Sequence, residues 1–195
     1  MPRPSLKHIR TEELLDAFMR CVARYGLDGS TLERISEEAG VGRPLLRHYL
    51  GNRANMVELL IAHVMQEFAV KTEAFFSQLP EENRISRLID LLFSGDAHEA
   101  DNAAVYQALV AASDRYEGMP KRLIGFVSDF EAAVAKELAR AYPNADTGRI
   151  EIVAAGIAAI YFNHDATLPL EPTRNWREKQ KSAACLLLES LSIPH

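Results

Sequence analysis

Ser30-Thr31-Leu32-Glu33-Arg34-Ile35-Ser36-Glu37-Glu38-Ala39-Gly40-Val41-Gly42-Arg43-Pro44-Leu45-Leu46-Arg47-His48-Tyr49-Leu50-Gly51 reads as two short helices and the turn between them. Ser30 and Glu33 form an S-x-x-E capping box, a start signal for a helix whose apolar stripe is Leu32, Ile35 and Ala39. Gly40 stops that helix, and Val41 and Gly42 complete the turn. Pro44 then falls in the first turn of the next helix, where its missing N–H is not needed. Leu46 and Leu50 share one face of it at i, i+4, Arg43 and Arg47 share another, and Gly51-Asn52 breaks it.

Two short helices joined by a glycine-containing turn are the pattern of a helix-turn-helix. Ser36 is small where a second helix must cross closely, and Leu46 is apolar where it can fill the angle. The polar face of the second helix carries Arg43, Arg47 and His48. An α-helix fits the DNA major groove, and arginine can donate two hydrogen bonds to guanine. By spacing alone, the stretch also fits an ordinary pair of packed helices with a solvated basic face.

Helical patterning continues in both directions. Upstream, Thr11 followed by Glu12 and Glu13 starts a helix. Leu14, Leu15, Phe18, Val22 and Tyr25 recur along it, and Gly26 ends it. Downstream, helices are expected over about 54–79, 82–94, 101–116, 120–142, 147–163 and 174–192. Breaks fall at Pro80, Gly95-Asp96, Gly118 to Pro120, Pro143-Asn144 and Leu168 to Pro172. The expected architecture is all-α, with about nine helices. Residues 1–53 form an N-terminal three-helix helix-turn-helix domain, and residues 54–195 a larger helical domain.

With 195 residues, 48% apolar and 25% charged, the composition is that of an ordinary globular chain. The net charge is −5, but it is unevenly spread. Residues 1–53 carry nine Lys and Arg against seven Asp and Glu, and the remainder carries 13 against 20. A relatively basic end on an acidic chain hints at a nucleic-acid-facing domain. The longest apolar run, Ile152 to Phe162, has 11 residues. That is short of the ~18 needed for a membrane span, so no membrane partner is expected. The first residues carry no secretory pattern, and a cytoplasmic location is expected. Cys21 and Cys185 have neither zinc-finger spacing nor disulfide-framework number, and read as buried thiols. No Gly-x-Ser-x-Gly elbow, His-Glu-x-x-His pair or Gly-rich phosphate loop is present, so an enzyme is not expected. No cofactor or metal is expected either. Asn163-His164-Asp165 reads as the cap of a helix C-terminus, with pocket or metal roles the minor alternatives.

The N-terminal pattern resembles the TetR/AcrR family of transcriptional regulators. The residues that carry the resemblance are Leu14-Leu15-Asp16-Ala17-Phe18, Ser30-Thr31, Ile35-Ser36-Glu37-Glu38-Ala39-Gly40-Val41-Gly42, His48-Tyr49-Leu50, Arg53 and Met56. They run over about 45 residues at fixed spacing without gaps. Departures are Gly42 where Ser or Thr usually caps the recognition helix, and Ser36 for Ala. Pro44 stands for the common Gly, Arg47 where Tyr is frequent, Leu50 for Phe and Arg53 for Lys.

The resemblance implies DNA-binding roles. Arg43, Pro44 and Leu45 match the positions that read bases; Arg43 would favour guanine, and Pro44 and Leu45 thymine methyls. Thr31, Arg47, Tyr49 and Arg53 match or replace phosphate-contacting positions, and His48 can join either group. Arg3, Lys7 and Arg10 form a basic arm ahead of them, of the kind that adds phosphate or minor-groove contacts or simply stays solvated.

It also implies that residues 54–195 dimerise and bind an unknown small-molecule effector. The residues themselves support the dimer. Ile152 to Phe162 is apolar or glycine on every side, and a helix hydrophobic all round needs cover all round. The last helix, with Trp176, Ala183, Ala184, Leu187, Leu188 and Leu191, can supply a partner stripe. The expected interface is therefore a four-helix bundle made from the last two helices of each copy, unless that helix is only the core of its own domain. Candidate effector contacts are His63, Gln66, Tyr106, Gln107, Phe126 and Phe130, polar or aromatic residues in apolar surroundings. The function that follows is a ligand-responsive repressor that binds a palindromic double-stranded DNA operator as a homodimer. The alternatives are a regulator that acts through protein partners, or a small all-helical enzyme.

Overall fold

The computed structural model describes residues 6–94 and 100–192. The basic-arm residue Arg3 and the expected break at Gly95-Asp96 lie outside them. Among the described residues there are nine α-helices and no strand. These are α1 (Leu6–Gly29), α2 (Leu32–Glu38), α3 (Arg43–Leu50), α4 (Arg53–Ser77), α5 (Arg84–Leu92), α6 (Ala100–Ala112), α7 (Met119–Ala141), α8 (Thr147–Thr167) and α9 (Arg174–Ser190). Single 3-10 turns, Ser113–Arg115 and Leu168–Leu170, follow α6 and α8. None of these helices is long and apolar enough to cross a membrane.

The chain divides into two compact units. One runs up to Ala69 and takes in Ala104–Leu123; the other takes Val70–Ala103 and everything from Ile124 onward. In the first unit, α1 to α3 bury Leu14, Phe18, Ile35, Leu46 and Leu50. The first four turns of α4 add Met56, Leu60, Ile61 and Val64 to the buried set. The helical spacing of those positions is why the core of the helix-turn-helix extends onto α4 across the break at Gly51-Asn52. Arg115 reaches Asp28 and Arg122 reaches Glu58 within this same unit.

The second unit has its own core, including Leu88, Phe130, Val134, Leu138, Ile157 and Leu188. Here α8 packs on α9 at a small-residue site: a Cβ on Gly156 would lie 2.8 Å from Leu187 Cδ1. Arg84 ties three helices of the unit together. It donates to Glu137 through Nε at 2.5 Å and Nη2 at 3.1 Å, to the carbonyl of Phe76 in the last turn of α4, and to that of Leu79 just beyond it. Lys181 on α9 donates to Asp90 on α5 at 2.6 Å.

Three local expectations are corrected. Thr11 does not cap α1, which is already formed at Leu6; its hydroxyl donates back to the Lys7 carbonyl at 2.9 Å. Ser30 is not the cap of α2. Thr31 is, accepting from the Arg34 N–H at 3.3 Å, while the buried Ser30 hydroxyl donates to the Gly26 carbonyl at 2.8 Å. Asn163-His164-Asp165 is not a helix cap. No breaker stands there, so α8 runs on to Thr167, just short of Pro169, and His164 and Asp165 are buried inside it.

Candidate nucleic-acid interface

The turn between α2 and α3 is held by backbone geometry that the sequence makes available. Gly40 takes φ 64°, a left-handed conformation that only glycine adopts readily. Its N–H donates to the Glu37 carbonyl at 3.1 Å, and the Val41 N–H donates to the Ser36 carbonyl at 3.0 Å. Together these are the two bonds of a Schellman cap. Ser36 is buried at the crossing, and its hydroxyl donates to the Leu32 carbonyl. α3 then starts at Arg43 with Pro44 in its first turn, and Gly42 gives it no side-chain cap.

α3 presents two contrasting faces. Leu46 and Leu50 are fully buried. Arg43, Pro44, Leu45, Arg47 and His48 are exposed, and Tyr49 is half-buried with its ring edge-on to His48 at 5.2 Å. All of the proposed base-reading positions thus lie on one outward helix surface. Thr31 is exposed at the start of α2 as its cap.

The cations on this surface are in different states. Arg43 is ion-paired with Glu33 of α2. Among the described residues, the Arg47 side chain has neither an ion pair nor a hydrogen bond. Arg53 is turned inward: it donates to the Ser30 carbonyl at 2.9 Å and the Leu27 carbonyl at 2.5 Å, with its guanidinium over the Phe18 ring. Arg34 stacks on Tyr25 and donates to the Gly29 carbonyl at 2.7 Å. Arg20 and Arg24 of α1 pair with Glu38 and hold its carboxyl below the usual range, chiefly through the Arg20 hydrogen bond. Glu33 was absent from the expected site. Its ten-residue separation from Arg43 carries no helical signal, so only the fold reveals that they meet.

The six candidate effector contacts fall in different units. His63, Gln66, Tyr106 and Gln107 belong to the first, and Phe126 and Phe130 to the second. The His63 ring is bonded to Asp16 of α1 at 2.7 Å, which ties α4 to α1. Gln66 and Gln107 are exposed, and Tyr106 is half-buried, its phenol pushed up by desolvation. Phe130 does sit in an aromatic group. It stacks on Tyr161 at 5.2 Å and meets Phe162 at 5.3 Å and Phe76 at 5.9 Å, while Phe126 meets Phe162 at 5.8 Å. Tyr161 and Phe162 were legible only as part of the apolar run of α8.

A buried Leu46/Leu50 face under an outward basic face, set by a glycine turn, defines a helix-turn-helix, the arrangement that presents a helix to the DNA major groove. Residues 14–60 match the sequence profile of the bacterial regulatory proteins of the tetR family. The HTH-type transcriptional regulator BetI of Vibrio vulnificus (strain YJ016) is 27% identical over 82% of this chain and 81% of its own. BetI of Agrobacterium fabrum is 25% identical over 84% and 81%. A transcriptional regulator from Rhodococcus sp. Rha1 shares the fold over 95% of this chain and 99% of its own, with a TM-score of 0.74 at 15% identity. NalD of Pseudomonas aeruginosa, described as the secondary repressor of a multidrug efflux pump, shares it over 94% of both chains, with a TM-score of 0.57 at 17% identity. Residues 14–60 are thus similar to the DNA-binding domain of the tetR-family regulatory proteins, and the chain as a whole is similar in sequence to HTH-type transcriptional regulators and in fold to TetR-family structures.

Proposed function

We propose that this regulator is a repressor that binds an inverted-repeat operator as a homodimer and leaves it when a small molecule binds residues 54–195. The observation that carries the DNA reading is the division of α3 between fully buried Leu46 and Leu50 and exposed Arg43, Pro44, Leu45, Arg47 and His48. In this reading Arg43 reads guanine, held toward its base by Glu33. Pro44 and Leu45 meet thymine methyls, and Arg47, Tyr49 and Thr31 contact phosphates. Arg53 acts indirectly, by fixing the turn from which α2 starts.

The dimer reading has its own support. Ile152 is 74% exposed on α8 and Leu186 65% exposed on α9, beside exposed Ala159 and half-buried Ala155. These residues leave an apolar face on the two helices that pack on each other, and a second copy covers it in a two-fold bundle. The name of NalD as a repressor and of BetI as a transcriptional regulator favours the same class of action.

Random-duplex selection with the purified full chain, sequencing the retained DNA at moderate salt, tests this function. Enrichment of an inverted repeat is the expected result. Retention without sequence preference, by a folded dimer, would overturn the operator reading in favour of a regulator that works through protein partners.

A further inference from the structure

His164 is 1% exposed in the last turns of α8. Its ring meets Phe93, at the end of α5, edge-on with centroids 5.2 Å apart. On another side it lies nearly parallel to Trp176 of α9, at 6.1 Å and 15° between planes. Neither ring nitrogen has a hydrogen-bond partner among the described residues. Of the other buried polar side chains, Glu137 is answered by Arg84, Ser30 by the Gly26 carbonyl and Ser36 by the Leu32 carbonyl, while the neighbouring Asp165 leaves its Oδ1 without a hydrogen bond. A neutral imidazole carries one donor and one acceptor, and leaving both unmade in an apolar setting is unfavourable. A side chain placed there for packing alone would be apolar. The two nitrogens therefore call for a partner that the described residues do not supply.

We infer that His164 is the polar anchor of a small-molecule site between α5, α8 and α9, walled by Phe93 and Trp176 and taking a compact aromatic alcohol of the phenol class. The inference rests on the reading that residues 54–195 bind an effector. The chemistry of the walls selects the class. Burial, and secondarily the positive charge of Arg177, push the imidazole below its ordinary pKa, so the ring is neutral near pH 7. An anion that needs an imidazolium gains little from it, and the Arg177 charge opposes a cationic ligand. A hydroxyl can donate to a bare ring nitrogen or accept from an N–H, so it suits either tautomer. The aromatic faces accept a flat apolar body.

Trp176 is the single tryptophan of the chain, so its fluorescence reports on this site alone. The test titrates p-cresol and toluene, which differ in one hydroxyl, into the full-length protein and into His164→Phe, reading Trp176 emission and thermal melting. The protein is expected to bind p-cresol about tenfold more tightly than toluene. His164→Phe is expected to bind the two alike and, without ligand, to melt no lower than the parent, because it replaces two unanswered polar atoms with an apolar ring. Equal affinities for the two probes in the parent, a silent Trp176, or a variant that keeps the preference would each overturn the assignment. The parent comparison stands whatever the variant does to folding. A parallel thermal-shift panel of aliphatic acids, quaternary amines and aliphatic alcohols separates the two readings. A shift there with Trp176 silent sinks the phenol site and leaves effector binding standing; no shift from any class counts against both.

Discussion

Nη1 of Arg115 bridges both carboxylate oxygens of Asp28, at 2.7 and 2.8 Å. Arg115 stands in the 3-10 turn after α6, and Asp28 just before Thr31, the cap of α2. The hydrogen bond to Asp28 raises the Arg115 pKa further. Both side chains are exposed, so the pair adds little to stability, and salt screens it. Its effect is positional: it steadies the turn from which α2 begins. Arg115→Ala should leave the melting temperature nearly unchanged while amide exchange over residues 26–31 accelerates. Unchanged exchange in those residues would show that the pair does not hold the turn.

Arg43 and Arg47 should fail differently on DNA. Arg43→Ala is expected to relax preference at one base pair by about 1–3 kcal/mol. Arg47→Ala should weaken all duplexes alike and lower the salt slope by about one. Glu33→Ala, which frees Arg43 and removes a carboxylate from the surface, should raise non-specific affinity while the ratio of specific to non-specific binding falls. Binding isotherms on selected and scrambled duplexes, each at several salt concentrations, check all three. Equal losses from Arg43→Ala and Arg47→Ala on every sequence would contradict the division of roles.

Arg53 offers a sharper contrast. It donates to two carbonyls in the α1–α2 turn, and lysine lacks the forked geometry to span both. Arg53→Lys should therefore lower the thermal midpoint and reduce affinity for all duplexes together. Loss of DNA affinity with an unaltered melt would instead mean that Arg53 acts directly on phosphate.

The Arg84–Glu137 pair is the principal buried ionic link of the second unit. Removing one partner strands the other, at about 3 kcal/mol. Hydrogen bonding to Arg84 holds the Glu137 carboxyl below the usual carboxylate range. A depressed folded-state pKa contributes stability that is present above the unfolded value and lost as pH falls through the folded one. Urea midpoints should accordingly drop as pH falls below about 4.5, and Glu137→Gln should flatten that part of the curve. An unchanged slope in the variant would assign acid sensitivity to other carboxylates.

What the sequence disclosed and what it hid follow a physical division. The α2–turn–α3 unit was legible because Gly40, Gly42, Pro44 and Gly51 punctuate it and Leu46 and Leu50 mark its inner face, all within a few residues of each other. Local signals misled where two neighbours compete for one role, as Ser30 and Thr31 do for the α2 cap. They also misled at Asn163 to Asp165, where a polar triplet looked like an end but no breaker followed until Pro169. Long-range partners were invisible. Nothing near His63 announces Asp16, nor near Arg43 announces Glu33, and nothing near His164 announces Phe93 and Trp176. Hence the recognition helix could be named from sequence, while the effector contacts could not.

The apolar face of α8 and α9 gives a further expectation. Leu186→Arg, placed on a 65% exposed position, should not unfold the chain but should convert it from dimer to monomer in sedimentation. It should also abolish tight binding to the full operator. A dimer that persists with this substitution would move the interface elsewhere.

The central claim is that two copies of α3 read two half-sites at once, and half-site spacing tests it most directly. Affinity should be measured for the selected inverted repeat with base pairs inserted or removed at its centre. The account expects a sharp optimum with half-site centres in register by about 10–10.5 base pairs or a multiple, and a steep loss when half a turn is added. Affinity indifferent to spacing would contradict it.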